Sequence, residues 1–186
     1  MGIARRLAES DSTQAFPFVF QITTTSANTV FTCPITDYGG LTPQLNINWG
    51  DSSSSPLITA SNSVNRIHTY ASAGTYTITI SGFMPGFAVN NNSAIRTLIT
   101  EIVQWGIVGL RSVNFYGCLN LTAIPSSASL SAVGGYTGLD EVVTFSNFMN
   151  GTRITSIPSD IFGTHSISCF IFILFIDAKI SFFTFY

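Results

Sequence analysis

Gly74-Thr75-Tyr76-Thr77-Ile78-Thr79-Ile80 is the stretch that decides the fold class. Tyr76, Ile78 and Ile80 alternate with Thr75, Thr77 and Thr79. A period of two places the apolar side chains on one face and the hydroxyls on the other, which is the pattern of a half-buried strand. Thr, Ile and Tyr all favour that conformation. Just upstream, Ala71-Ser72-Ala73-Gly74 reads as a short turn that joins this strand to Arg66-Ile67-His68-Thr69-Tyr70. Further out, Leu45, Ile47 and Trp49 alternate with Asn46 and Asn48, and Gly50-Asp51-Ser52-Ser53-Ser54-Ser55-Pro56 supplies turn chemistry. Val30-Phe31-Thr32-Cys33 and the alternation of Phe16, Phe18, Phe20 and Ile22 with Pro17, Val19 and Gln21 complete the set. Several short strands at this spacing predict a small antiparallel β-sandwich over residues 16–82.

The composition agrees with β structure and narrows the function. Among 186 residues there are 7 Lys+Arg and 9 Asp+Glu, for a net charge of −2 and only 9% charged residues. An average soluble domain has about 25%. Lys179 is the single lysine. A nucleic-acid binder needs a basic patch or stripe to displace counterions, and the sequence has none. Nor is it the composition of a disordered chain, since it carries 16 Phe and 6 Tyr with long runs of Thr, Ile and Val. Ser, Thr and Asn keep the surface wet without charge.

Separated elements in a fixed order carry a resemblance. Asn48-Trp49-Gly50-Asp51, then His68-Thr69-Tyr70, then Gly74-Thr75-Tyr76-Thr77-Ile78 resemble the motifs of PKD-type (polycystic-kidney-disease repeat) immunoglobulin-like domains. The resemblance covers residues 16–82 and implies that Trp49, Gly50, Asp51, His68, Tyr70, Gly74 and Tyr76 are structural. One departure is Ser52, where the family usually has a glycine suited to a turn with φ > 0.

Residues 83–165 change character. Gly82-Phe83-Met84-Pro85-Gly86-Phe87 is a linker-like bend, and Ile95 to Gly106 reads either as a strand pair or as a helix-to-strand passage. A repeat follows. Leu110, Val113, Phe115, Cys118, Leu121 and Ile124-Pro125 fit a leucine-rich pattern with cysteine at the bend after the strand. Offset by 33 residues, Phe148, Ile154 and Ile157-Pro158 match Phe115, Leu121 and Ile124-Pro125, with Gly151 standing for Cys118. Such a unit cannot bury its own apolar face, so successive units stack. Phe115-Tyr116-Gly117-Cys118-Leu119-Asn120-Leu121-Thr122 resembles the core of BspA-like leucine-rich repeats. The order of both modules is similar to that of bacterial surface and phage virion proteins used for adhesion and attachment.

The ends are distinct. Residues 1–15 read as a polar N-terminal arm with Arg5-Arg6 but without the apolar stretch of a signal peptide. The arm and one face of the sandwich are expected to contact another protein, with the repeats outward. Residues 166–186 form an apolar, Phe-rich tail. A membrane-spanning helix needs about 20 apolar residues, and Asp177 and Lys179 interrupt the run after Ile176. A terminal strand or cap over the repeats is expected, with no bilayer entry.

Catalytic and metal motifs are lacking. There is no G-x-S-x-G, H-E-x-x-H, P-loop or G-x-G-x-x-G. Cys33, Cys118 and Cys169 form no C-x-x-C pair, and with His68 and His165 they have no zinc spacing; buried thiols are expected. Asp51 lacks the acidic neighbours of a calcium loop, so an Asx-type bond to its own turn is its expected role. Adjacent Asp140 and Glu141 would face opposite ways on a strand, and a solvated turn rather than a glycosidase pair is expected there. The expected function is therefore a non-enzymatic virion surface protein of a phage (head decoration, fibre or tail-associated), with no cofactor and no metal. Other virion proteins, further copies of itself and a host surface protein or glycan are the expected partners. A bacterial cell-surface adhesin is the alternative.

Overall fold

The computed structural model describes residues 16–90, 92, 94–126, 138–145, 147–158 and 160–161. The expected arm and apolar tail lie outside the described residues, as do His165 and Cys169. Among the described residues the chain is mainly β, with antiparallel sheets, no α-helix and one 3-10 turn at Val64–Arg66. The strands are β1 (Phe18–Thr24), β2 (Thr29–Thr32), β3 (Ile35–Thr36), β4 (Gln44–Asn48), β5 (Ile67–Tyr70), β6 (Gly74–Phe83), β7 (Gly86–Ala88), β8 (Ile99–Gln104) and β9 (Ser112–Asn114).

The alternating segments became strands because each buries one face. Phe18, Phe20 and Ile22 of β1, Leu45 and Ile47 of β4, and Ile78 and Ile80 of β6 are all fully buried. Their sheet has the order β4-β6-β1-β8, with every neighbour antiparallel. A second layer faces it. There β5 pairs with β2, the chain runs from β2 into β3 through Cys33 and Pro34, and β3 pairs with β7. Cys33 N–H donates to the Arg66 carbonyl at 2.9 Å, and Ala88 N–H donates to the Pro34 carbonyl at 2.8 Å. The two bonds leave the bent β2–β3 segment on opposite sides, so β5 flanks it on one side and β7 on the other. Rings bridge the layers: Phe20 lies 6.1 Å from Phe31 and 5.4 Å from Phe87, and Phe18 lies 5.0 Å from Phe87.

Beyond β8 the pairing becomes parallel. In the second layer, β7 pairs in parallel with β9, and Ser112 of β9 bridges in parallel to Thr144. In the first, Glu101 of β8 bridges in parallel to Ala123, and Arg153 N–H donates to the Leu121 carbonyl at 2.9 Å. Between the layers, Phe115 N–H donates to the Phe148 carbonyl at 3.0 Å and Gly117 N–H to the Asn150 carbonyl at 2.8 Å. Hydrogen bonding is therefore uninterrupted where the composition changes near residue 83. The stretch whose sequence admitted a strand pair or a helix-to-strand passage contains β8, which lies along β1. Gly106 follows it at φ +70°, and a Cβ there would run into the Pro17 backbone.

One run of aromatic rings threads the body. Trp105 is 6.1 Å from Phe18, 6.1 Å from Phe115 and 5.9 Å from Phe148, and Phe145 stands edge-on to Phe148 at 5.0 Å. Burying each such side chain contributes about 1.5–3 kcal/mol, so this run ties the antiparallel and parallel parts into one core.

Candidate functional site

The chemistry-bearing side chains gather where the loop after β4 meets β5. Trp49, just past β4, is buried, and its indole stacks on the His68 ring at 4.9 Å with only 9° between the planes. His68 stands edge-on to Tyr70 at 4.7 Å, and Tyr70 lies 4.1 Å from Tyr76. The Tyr70 hydroxyl donates to the Trp49 carbonyl at 2.9 Å, which locks β5 to the end of β4. Tyr76 donates its hydroxyl to the Ser72 carbonyl at 2.8 Å, and Gly74 N–H donates to Thr24 Oγ1 at 3.1 Å. Burial pushes the Tyr70 phenol up, with the nearby Asp51 charge adding to the effect.

Asp51 is the hub. Its Oδ1 accepts from Ser53 N–H at 3.1 Å and from the Ser53 hydroxyl at 2.5 Å. Its Oδ2 accepts from His68 Nε2–H at 2.6 Å, with the His68 and Asp51 side chains 19% and 24% exposed. Partial removal from water pushes the Asp51 carboxyl up. The hydrogen bonds from Ser53 and His68 outweigh that, and together they hold it below its usual value. The turn that presents it uses two left-handed residues, Gly50 at φ +81° and Ser52 at φ +74°. Gly50 is required twice over, because a Cβ would also meet the Thr77 carbonyl oxygen at 2.5 Å. Asn48 Oδ1 accepts from Gly50 N–H at 2.9 Å and starts the turn.

This order of atoms decides what the cluster can do. A nucleophilic site needs the hydroxyl against the imidazole and the carboxylate behind it. Here the carboxylate stands between Ser53 and His68, so the serine hydroxyl meets the carboxylate and not the imidazole. The trio braces a turn of one layer against a strand of the other. Among the described residues, no group of three His, Cys, Asp or Glu side chains stands ready to hold a metal.

The second set of sequence-predicted residues gathers along the parallel segments. Phe115, Gly117, Cys118, Leu121, Phe148 and Ile154 are buried, while Ile124, Pro125, Ile157 and Pro158 are half-buried. Leu121 to Pro125 and Ile154 to Pro158 share one burial pattern at the 33-residue offset. At the bend the register slips: Gly117 and Gly151 both adopt positive φ, +76° and +74°, and a Cβ on Gly151 would lie 3.3 Å from Gly117 Cα. Gly151 thus stacks on Gly117, whereas the uniform offset pairs it with Cys118. Cys33 and Cys118 are both free thiols. Burial pushes the Cys118 thiol up to about 12 and also raises Cys33, so neither is poised to react.

The Asx-type bond expected of Asp51 is the one it accepts from Ser53 N–H. Sequence reasoning missed the Ser53 hydroxyl bond, the Asn48 bond and the Arg111–Glu141 ion pair at 3.0 Å, which joins the last two parallel segments. The Asn-x-Gly spacing signals the Asn48 bond, and nothing local signals the ion pair. Comparison with protein-family models, curated proteins and solved structures finds no match.

Proposed function

We propose that this chain is a non-enzymatic protein displayed on a phage particle, as a head decoration, fibre or tail-associated protein, acting in particle structure or attachment to the host surface. The observation that carries the proposal is the arrangement of Ser53, Asp51 and His68, in which the carboxylate takes both donors and the chemistry-bearing side chains serve as a brace. Two further features support it. The motifs around Trp49, His68 and Gly74 and around Phe115 to Thr122 resemble PKD-type and BspA-like modules, which occur together in surface and virion proteins. A two-layer antiparallel body that runs on into parallel-stacked segments suits that pair of modules. Its partners are other virion proteins, with a host surface protein or glycan as the target.

The gene neighbourhood and the particle itself test the proposal. Flanking capsid and tail genes, and the chain's peptides in purified particles, are the expected results. Flanking export and cell-wall genes, with the chain on the bacterial envelope, would replace it with the adhesin. Turnover of a glycan by the purified chain, abolished in Asp51→Asn, would defeat the structural role.

A further inference from the structure

We infer that the outer edge of β5 is a pairing edge for a second copy of this chain. Cys33 N–H donates to the Arg66 carbonyl, and Thr32 stands opposite Ile67. This register makes Thr32 and Ile67 a non-hydrogen-bonded pair, so the backbones of His68 and Tyr70 point toward β2 while those of Ile67 and Thr69 point away from it. The Ile67 N–H is taken by the Val64 carbonyl. The Thr69 N–H and the Ile67 and Thr69 carbonyls are left unpaired among the described residues, on an exposed edge.

The side chains beside that edge are apolar. Ile67 is 48% exposed and Val64, one 3-10 turn earlier, is 76% exposed. Val30 stands opposite Thr69, hence diagonal to Ile67, and is 53% exposed. The charges nearby are turned away: the Arg66 guanidinium donates to the Ile35 carbonyl at 3.4 Å, and His68 faces Asp51. Proteins protect an edge with lysine, proline, a bulge or brevity; here only brevity applies.

A second copy fits because the edge is self-complementary. A two-fold axis at His68 sets Ile67 of one copy opposite Thr69 of the other, so each Thr69 N–H donates to an Ile67 carbonyl across the axis. No outward charge opposes its equivalent, and the Val64–Ile67–Val30 stripes of the two copies run together. With only two such bonds the pair is a weak one, populated at the high local concentrations of an assembly, wherever the chain is displayed.

Sedimentation equilibrium on the full chain over a concentration series tests this. The weight-average mass is expected to rise from 20.0 kDa toward twice that value. Thr69→Pro removes the outward N–H without touching the β2 ladder, and Ile67→Lys places a charge at the edge; both are expected to stay at the monomer mass with wild-type circular dichroism. Amide exchange at Thr69 in the wild type gives a second readout, should either variant fail to fold, and its protection is expected to grow with concentration. A constant mass of 20.0 kDa, a rise retained by both folded variants, or concentration-independent exchange at Thr69 would overturn the inference.

Discussion

Ser52 stands at φ +74° without the freedom of a glycine. The left-handed region costs an L-residue roughly 1–2 kcal/mol, and glycine in turn loses about 0.5–1 kcal/mol more backbone entropy on folding. Ser52→Gly is therefore expected to stabilise the chain by up to about 1.5 kcal/mol, read as a higher denaturation midpoint. Gly50→Ala is expected to destabilise it, because a Cβ there meets Thr77. Asp51 supplies a pH signature. Its folded carboxyl ionises below the ordinary value of 3.8, so the unfolded chain takes up the proton first and acid favours unfolding. The stabilisation is fully present above 3.8 and is lost as pH falls through the lower folded value. The gap between wild type and Asp51→Asn in urea midpoint should shrink across that window, and a gap that stays constant there would speak against the hub. Cys118→Ala is expected to cost roughly 1–2 kcal/mol as a small cavity, and Cys118→Asn to be tolerated better than Cys118→Leu. In the folded protein neither Cys118 nor Cys33 should react with a thiol reagent at neutral pH.

Strands with an unbroken period of two were legible from sequence. In β1, β4 and β6 the buried residues are the alternating ones, and turns rich in Gly, Ser and Asn separate them. β8 was not legible. Its pairing with β1 shifts register twice, between Val19 and Phe20 and between Gln21 and Ile22. Its buried residues, Ile99 and Ile102, therefore fall three apart and mimic helical spacing. β7 and β9 are only three residues each, too short to show any period. The repeat was legible in Leu121–Pro125 and Ile154–Pro158 because the same side chains meet the same core, while the slip at Gly151 was hidden because glycine leaves no apolar signal. Within the braced site, the residues of the motifs could be picked out, but the order Ser53–Asp51–His68 depends on which way side chains turn in a loop. At this scale the Phe115–Phe148 contact, 6.1 Å between rings, is the testable joint. A double-mutant cycle with Phe115→Leu and Phe148→Leu should show a coupling of about 0.5–1.5 kcal/mol; additive effects would mean the two segments do not share a core.

At the scale of the whole body, among the described residues, each layer starts antiparallel and ends parallel. The β1 strand covers the edge of β8, and β3 covers the edge of β7. A parallel stack exposes an apolar end unless something closes it, and here the N-terminal sheets close its first segment through both backbone bonds and the Phe18–Phe87–Trp105 rings. Stability is accordingly expected to be shared by the described residues of both parts. The direct test uses the chain's two tryptophans, Trp49 beside the braced turn and Trp105 among the rings of the parallel part. With Trp105→Phe the fluorescence reports the first region, and with Trp49→Phe the second. Within each variant, fluorescence and far-ultraviolet circular dichroism should unfold in urea as one transition with one midpoint. A fluorescence midpoint clearly separated from that of circular dichroism in either variant would contradict a single continuous body and leave two independent domains.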